Sequence, residues 1–443
     1  MSHCVPDSTT ANAIRTVAEA GSYIASVCFK HGPPERIGIE LEWLVHDPSD
    51  PLRRPDGSIL LAALGEHAPR TLDPTSPAVA LPAGGLVSVE PGGQLEISSA
   101  PATSVSELIS AMNRDVTALT ALLAPTGFLL GDLAADPYRP PHRILSTARY
   151  EAMAAAFDAV GPAGRVMMCA TAATQVCVDL GTAQVADRRW KVAHALGPVL
   201  LAAFANSARL AAGASLGPAE PEVDRQPVSN RMASWWRLDP ERTLPPGSPE
   251  PGDYVERALD TQVLARCRPD GPWRVAEEMT LRQWVESGEP LDTADIDLHL
   301  SMLFPPVRPQ GYLELRYLDA QPAGEWIAPL ALIAALFADP ATVDGALECC
   351  AEGADRWQQA TEVGLADPIL RRCAAELLAL AEPAVAALEL PPATQIEVER
   401  LLQRRLGAAI SPAMDDLSNQ PTTGGSGPGR PTSAPQLTTG GAR

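Results

Sequence analysis

Lysine is nearly missing from this chain of 443 residues: Lys30 and Lys191 are its only two, in a total of 34 basic residues. Acidic residues number 54, leaving a formal net charge of -20 at pH 7. That balance argues against nucleic acid as a partner, because phosphate backbones are held by clustered Lys and Arg that release counterions. Other absences narrow the chemistry. No Gly-x-x-x-x-Gly-Lys-[Ser/Thr] run occurs, so a bound nucleotide is not cradled by a P-loop. The seven histidines include no His-Glu-x-x-His pattern, and His142, His194 and His299 read as structural or surface residues rather than zinc ligands. Eight cysteines, at 4, 28, 169, 177, 267, 349, 350 and 373, show neither Cys-x-x-Cys spacing nor a small secreted framework, so reduced thiols are expected.

Long hydrophobic runs are missing as well. The longest apolar segment, 195–214, is interrupted by Pro198, Asn206 and Arg209, which suits a buried helix and not a membrane span. Residues 1–30 lack the basic start, apolar stretch and small-residue cleavage site of a signal peptide. A cytoplasmic protein without membrane association is the expectation.

What is present is a large apolar fraction, 46% of the residues, enough for a sizeable core. From about residue 413 the composition turns to Gly, Pro, Ser and Thr, which predicts one folded unit over 1–412 and a disordered tail over 413–443. Helices are predicted at 104–124, where Ser104 and Glu107 have capping-box spacing, and at 146–160, 187–212, 253–266, 325–338, 341–364, 366–388 and 393–410. Strands are predicted at 36–45, 85–90, 94–99, 127–133, 165–181 and 311–318. Helices of varied length between scattered strands favour a mixed α/β (α+β) fold around one sheet over a regular βαβ repeat.

The strands carry the chemistry. In Arg36-Ile-Gly-Ile-Glu-Leu-Glu-Trp-Leu-Val45, alternation puts Ile37, Ile39, Leu41 and Trp43 on one face and Gly38, Glu40 and Glu42 on the other. The run from Leu86 to Ser98 ends with Gln94, Glu96 and Ser98 on one face, and Pro91-Gly92-Gly93 breaks it just after Glu90. Those glycines serve either a tight bend or a backbone approach to phosphate. Glu314 and Arg316 alternate with Leu313, Leu315 and Tyr317; Gln175, Cys177 and Asp179 alternate with Val176, Val178 and Leu180. Each strand alone describes a sheet with one wet face. Together they collect Glu40, Glu42, Glu90, Glu96 and Glu314, whose mutual repulsion must be relieved by protons or by hard cations such as Mg²⁺ or Mn²⁺. Mg²⁺ is normally shared between carboxylates and substrate phosphates, which points to ATP. Arg316 would supply the positive charge for a phosphoryl or carboxylate group, or else pair with Glu314. The Arg- and Trp-rich stretch 229–242 reads as a loop, either closing over a ligand or pinned at the surface.

Several stretches in order resemble the glutamate-cysteine ligases of the plant and actinobacterial type: Gly38 to Glu42, Glu90 to Ser98 (Glu-Pro-Gly-Gly-Gln-Leu-Glu-Ile-Ser), Arg149 to Met153, Thr171 to Asp179, Phe204 to Ser207, Ser229 to Arg231 with Trp235, Asp239 and Arg242, and Tyr312 to Arg316 with Asp319. The resemblance implies a single catalytic domain with a curved, mostly antiparallel sheet covered by helices, like the catalytic domain of glutamine synthetase. It implies that Glu40, Glu42, Glu90, Glu96 and Glu314 hold the metals that bridge ATP, that Arg231 and Arg316 serve catalysis at the phosphates or the glutamate carboxylate, and that Gln94, Gln175, Asn206 and Arg242 contact the nucleotide cofactor. The implied substrates are L-glutamate, L-cysteine and ATP, joined through an acyl phosphate to give γ-glutamylcysteine for ergothioneine synthesis. A ligase of the same fold using another amine, and a non-catalytic metal- or nucleotide-binding protein, remain open, as does the oligomeric state, with which a monomer is compatible.

Overall fold

The computed structural model describes residues 13–217, 226–245, 250–268, 273–275 and 278–407. The tail expected at 413–443 lies outside them. Among the described residues eight strands form in chain order: β1 (Ile37–Trp43), β2 (Val45–His46), β3 (Leu86–Val89), β4 (Leu95–Ser98), β5 (Leu129–Leu130), β6 (Ala173–Val178), β7 (Val307–Pro309) and β8 (Leu313–Asp319). Six of them make one sheet in the order β3-β4-β1-β6-β8-β7, with every pairing antiparallel, while β2 and β5 form a separate two-stranded ribbon.

The alternation read from β1 is the one the sheet adopts: Ile37, Ile39, Leu41 and Trp43 are buried, while Gly38, Glu40 and Glu42 between them keep partial exposure. Helices pack on this sheet: Val105–Leu123 touches β1, Ile327–Leu336 touches β6, and Ala186–Phe204 lies along β8. The last of these is buried on nearly all sides. Its Gly197 leaves room for Trp357, whose ring would lie 1.8 Å from an added Cβ. The apolar run in this part of the chain is therefore a core helix, and among the described residues no single helix is long and apolar enough to cross a membrane.

Several predicted elements are redrawn. Residues 165–181 divide into a helix, Ala163–Cys169, and β6; Pro162 caps the start of the helix, and the alternating residues Val176 and Val178 fall in β6. The helix expected to reach 212 stops at Phe204, because the backbone N–H of Asn206 is taken by the Asp319 carboxylate. The span 341–364 breaks into Pro340–Cys350 and Trp357–Glu362, and 253–266 shortens to Pro251–Asp260. Ser104 caps its helix as the spacing predicted, accepting from the Glu107 N–H, but the Glu107 carboxylate accepts from the Thr103 hydroxyl.

Candidate active site

Cross-strand register assembles the polar face row by row. Glu42 stands opposite Glu96, which stands opposite Ser88. Glu40 stands between Ser98 and Gln175. Cys177 faces Glu314, and Glu314 faces Arg308 on the edge strand. Residues directly opposite in an antiparallel pair share a face with Cβ atoms roughly 5 Å apart, so carboxylates from three strands, β1, β4 and β8, converge with Glu90 at the end of β3.

Crowding and burial set the charges of these groups. Burial, then Glu96 and Glu314, lifts Glu40 well above its ordinary 4.5; burial, then Glu42 and Glu90, does the same to Glu96. Glu42 is pushed up to about 7 by burial and then by Glu90, against the pull of Arg231 and Arg316. Glu90 is raised by burial in spite of Arg149, Arg316 and Arg308. Glu314 behaves oppositely. Burial pulls it up, but Arg308 and Arg316 outweigh that and hold it below 4.5. Arg308 donates from Nε to Oε2 at 2.6 Å and from Nη2 to Oε1 at 2.9 Å, and Gln310 adds a third bond at 3.2 Å.

Gln175 lies where the sequence put it, its Nε2 donating to Glu40 at 3.2 Å and to Glu42 at 3.0 Å. Its Oε1 is buried with no hydrogen-bond partner. A carbonyl oxygen and several carboxylates form a donor set suited to hard divalent ions. Among the described residues, however, no three His, Cys, Asp or Glu side chains are arranged to hold a metal ion on their own. The chemistry of the donors fits a hard divalent ion such as Mg²⁺.

At one end of this face stand two arginines. Arg316 lies 3.4 Å from Glu314, and the guanidinium carbons of Arg231 and Arg316 lie 5.0 and 5.5 Å from the centroid of the Trp235 ring. Arg231 also donates from Nη2 to the Arg316 carbonyl at 2.7 Å. The stretch 229–242 that read as a loop is instead a buried helix, Asn230–Trp236, capped by the Ser229 hydroxyl, followed by the short helix Pro240–Thr243.

Three predicted cofactor contacts have other occupations. Gln94 donates to the carbonyls of Met168 and Thr171 and accepts from Gly92, so its whole amide clamps the Pro91–Gly93 turn to the Ala163–Cys169 helix. Asn206 gives both amide hydrogens to the carbonyls of Asp132 and Ala320. Arg242 is fully buried, bound to the carbonyls of Met302 and Gln262 and beside Asp239, with none of the five glutamates among its partners. The glycine turn resolves as well. Gly92 packs so closely that an added Cβ would lie 2.2 Å from the Cys169 carbonyl oxygen, and its N–H goes to Gln94 and that of Gly93 to Glu90, which makes this a tight bend and not a phosphate loop.

Arg308, Gln310 and Ser88, which donates to Glu96 at 2.5 Å, were not read from the sequence. The two buried histidines are structural as expected, His194 bonded to the Trp190 carbonyl and His299 to that of Ala258. Cys177 lies on the polar face, where burial and then Glu40 and Glu314 keep its thiol protonated.

The model of glutamate-cysteine ligase family 2 (GCS2) matches residues 36–406. The chain is 36% identical over 419 residues to the glutamate-cysteine ligase EgtA of Mycobacterium tuberculosis, covering 92% of this chain and 90% of the relative. It is 33% identical over 413 residues to EgtA of Mycolicibacterium smegmatis, covering 91% of each. A crystal structure of the Francisella tularensis glutamate-cysteine ligase in complex with AMP superposes with a TM-score of 0.52 at 13% identity, covering 86% of this chain and 83% of that one, a likeness of fold. With a family match that takes in every strand of the sheet and all five glutamates, this chain belongs to glutamate-cysteine ligase family 2.

Proposed function

We propose that this chain joins the γ-carboxylate of L-glutamate to the amine of L-cysteine, converting ATP to ADP and phosphate and yielding γ-glutamylcysteine that feeds ergothioneine synthesis in the cytoplasm. The observation that carries the reading is the gathering of Glu40, Glu42, Glu90, Glu96 and Glu314 on one sheet face beside Arg231 and Arg316, in a chain 36% identical to EgtA.

A carboxylate oxygen is a poor leaving group, so the glutamate γ-carboxylate first attacks the terminal phosphorus of ATP. The bond to ADP breaks and γ-glutamyl phosphate forms. The cysteine amine then attacks the acyl carbon, phosphate leaves with the C–O bond pair, and the amine proton passes to solvent. Bound Mg²⁺ or Mn²⁺ would neutralise charge between the polyphosphate and the glutamates that hold it. Arg231 and Arg316, fixed against Trp235, would do the same for the transferred phosphoryl group or the glutamate carboxylate. Gln175 sets the spacing of Glu40 and Glu42 by donating to both. No side chain needs to form a covalent bond.

Mass spectrometry of the purified full-length protein with ATP, Mg²⁺, glutamate and cysteine tests this, with γ-glutamylcysteine and ADP in equal amounts as the expected result. A panel of other amines supplies the contrast. Turnover with another amine but not cysteine would make the chain a sibling ligase, and nucleotide binding without ADP formation across the panel would make it a non-catalytic binding protein.

A further inference from the structure

We propose that Asp319 is a positioning residue that fixes the Arg231 guanidinium at the end of the carboxylate face. This rests on the role given to Arg231 above. Strict alternation along β8 would place Asp319 on the helix-packed face with Leu313, Leu315 and Tyr317. A β-bulge prevents it: Thr174 pairs with Leu318 and Val176 with Leu315, so Gln175 alone stands opposite both Arg316 and Tyr317. Because Thr174 also pairs with Leu41 of the buried face, Leu318 joins that face and Asp319, opposite Ala173, turns to the polar one.

There Asp319 is fully buried and gathers two distant segments. Its Oδ2 accepts from the Asn206 N–H at 2.8 Å and the Ser207 hydroxyl at 2.6 Å; its Oδ1 accepts from the Ser229 hydroxyl at 3.0 Å and lies 3.9 Å from Arg231 Nη1. The Ser207 oxygen in turn accepts from the Arg231 backbone N–H at 3.1 Å. Backbone and guanidinium of Arg231 are thus both tied to one carboxylate. A neutral amide would leave one of these two acceptor positions as a donor-only NH2, and it would not balance the buried cation, which lies beside the like charge of Arg316 and whose other anionic neighbour is Glu42. Asp319 therefore supplies the main counter-charge to Arg231, ahead of Glu42.

The test is a double-mutant cycle on the full-length protein, with kinetics corrected to the folded fraction. Asp319→Asn should lower kcat/KM for glutamate by about 100-fold, the cost of a misplaced catalytic group, while KM for cysteine stays unchanged. Because Asp319 acts through Arg231, adding Asp319→Asn to Arg231→Gln should cause no further loss. Losses that add, or a variant whose kinetics per folded molecule are normal, overturn the proposal. If Asp319→Asn does not fold, Ser207→Ala, which loosens the same grip, should cost about tenfold, and an unaltered kcat/KM overturns the idea. If the wild type makes no γ-glutamylcysteine, the functional reading fails separately. The crystal structure of Asp319→Asn then decides, since Arg231 withdrawn from the Arg316 carbonyl supports the proposal and Arg231 in place overturns it.

Discussion

Arg308 forks onto Glu314 across the edge of the sheet, with two parallel bonds of 2.6 and 2.9 Å. Glu314 is the one glutamate of the five held below its ordinary pKa. The pair fixes one permanent negative charge on a face whose other carboxylates are pushed toward protonation.

Arg308→Gln should therefore destabilise the protein by about 3 kcal/mol at pH 7, the cost of leaving one partner of a buried pair alone. The sign with pH follows from the same shift. In the wild type the depressed pKa of Glu314 contributes stability above the unfolded value of 4.5 that is lost as pH falls through the folded pKa. In Arg308→Gln the lone carboxyl would be pushed up instead, so the deficit should shrink as pH falls toward 5. Urea denaturation of the two proteins at pH 5 and 7 checks it; a deficit equal at both values would mean that Arg308 acts by packing alone.

Glu42 gives the opposite slope. Its folded pKa of about 7 lies above the unfolded 4.5, so the folded state binds the extra proton between those values. Stability from this group is present below 4.5 and lost as pH rises through 7. In chelator, Glu42→Gln should be more stable than wild type at pH 8 by on the order of 2 kcal/mol, with the difference vanishing near pH 5 and narrowing when Mg²⁺ and ATP are added. Its turnover should be lost. Thermal unfolding across this pH series, with and without Mg²⁺-ATP, reads each part, and a variant no more stable than wild type at pH 8 would remove the crowding argument.

The acidic face was legible because strand alternation is a local property. Glu40 and Glu42 bracket Leu41, and that spacing decides their common side whatever the neighbours are. The partners were harder to see. Arg308 sits in a three-residue strand ending at Pro309, too short for any periodicity, and its meeting with Glu314 depends on register. Asp319 lay one residue beyond the predicted strand 311–318, and a bulge, which no residue type announces, decides its face. Gln94 was read by alternation with Glu96 and Ser98, but it stands just before the first residue of β4, and its amide is used by the backbone of the Ala163–Cys169 segment and its exit. The buried helix at 230–236 was obscured by flanking prolines and by a lone Ser229 cap without the acidic residue that completes a capping box.

Two glycines separate local from global effects. An added Cβ at Gly92 would meet the Cys169 backbone at 2.2 Å, in the turn that follows Glu90; at Gly197 it would meet the Trp357 ring at 1.8 Å, in the core. Both alanine variants should lose about 2 to 3 kcal/mol through overpacking. Gly92→Ala should in addition reduce kcat per folded molecule by about 100-fold, because displacing the turn moves Glu90, whereas Gly197→Ala should leave it nearly unchanged. Equal kinetic losses in the two would show that the turn has no special bearing on the site.

Cys177 occupies the polar face between Gly38 and Glu314, a position that invites a catalytic reading of its thiol. The surroundings argue otherwise. Nucleophilic cysteines are thiolates stabilised by cations, whereas burial and then the nearby Glu40 and Glu314 raise this pKa well above 9.0, against the weaker pull of Arg308 and Arg316. The proposed ligation through an acyl phosphate would also leave no step for a protein thiol. Cys177→Ala should keep kcat within about threefold of wild type, as expected for a small neutral side chain with no chemical part, and iodoacetamide should label Cys177 slowly at pH 7 and no faster at pH 8. A 100-fold loss in the alanine variant, with its fold intact, would mean that the sulfur takes part in the reaction after all.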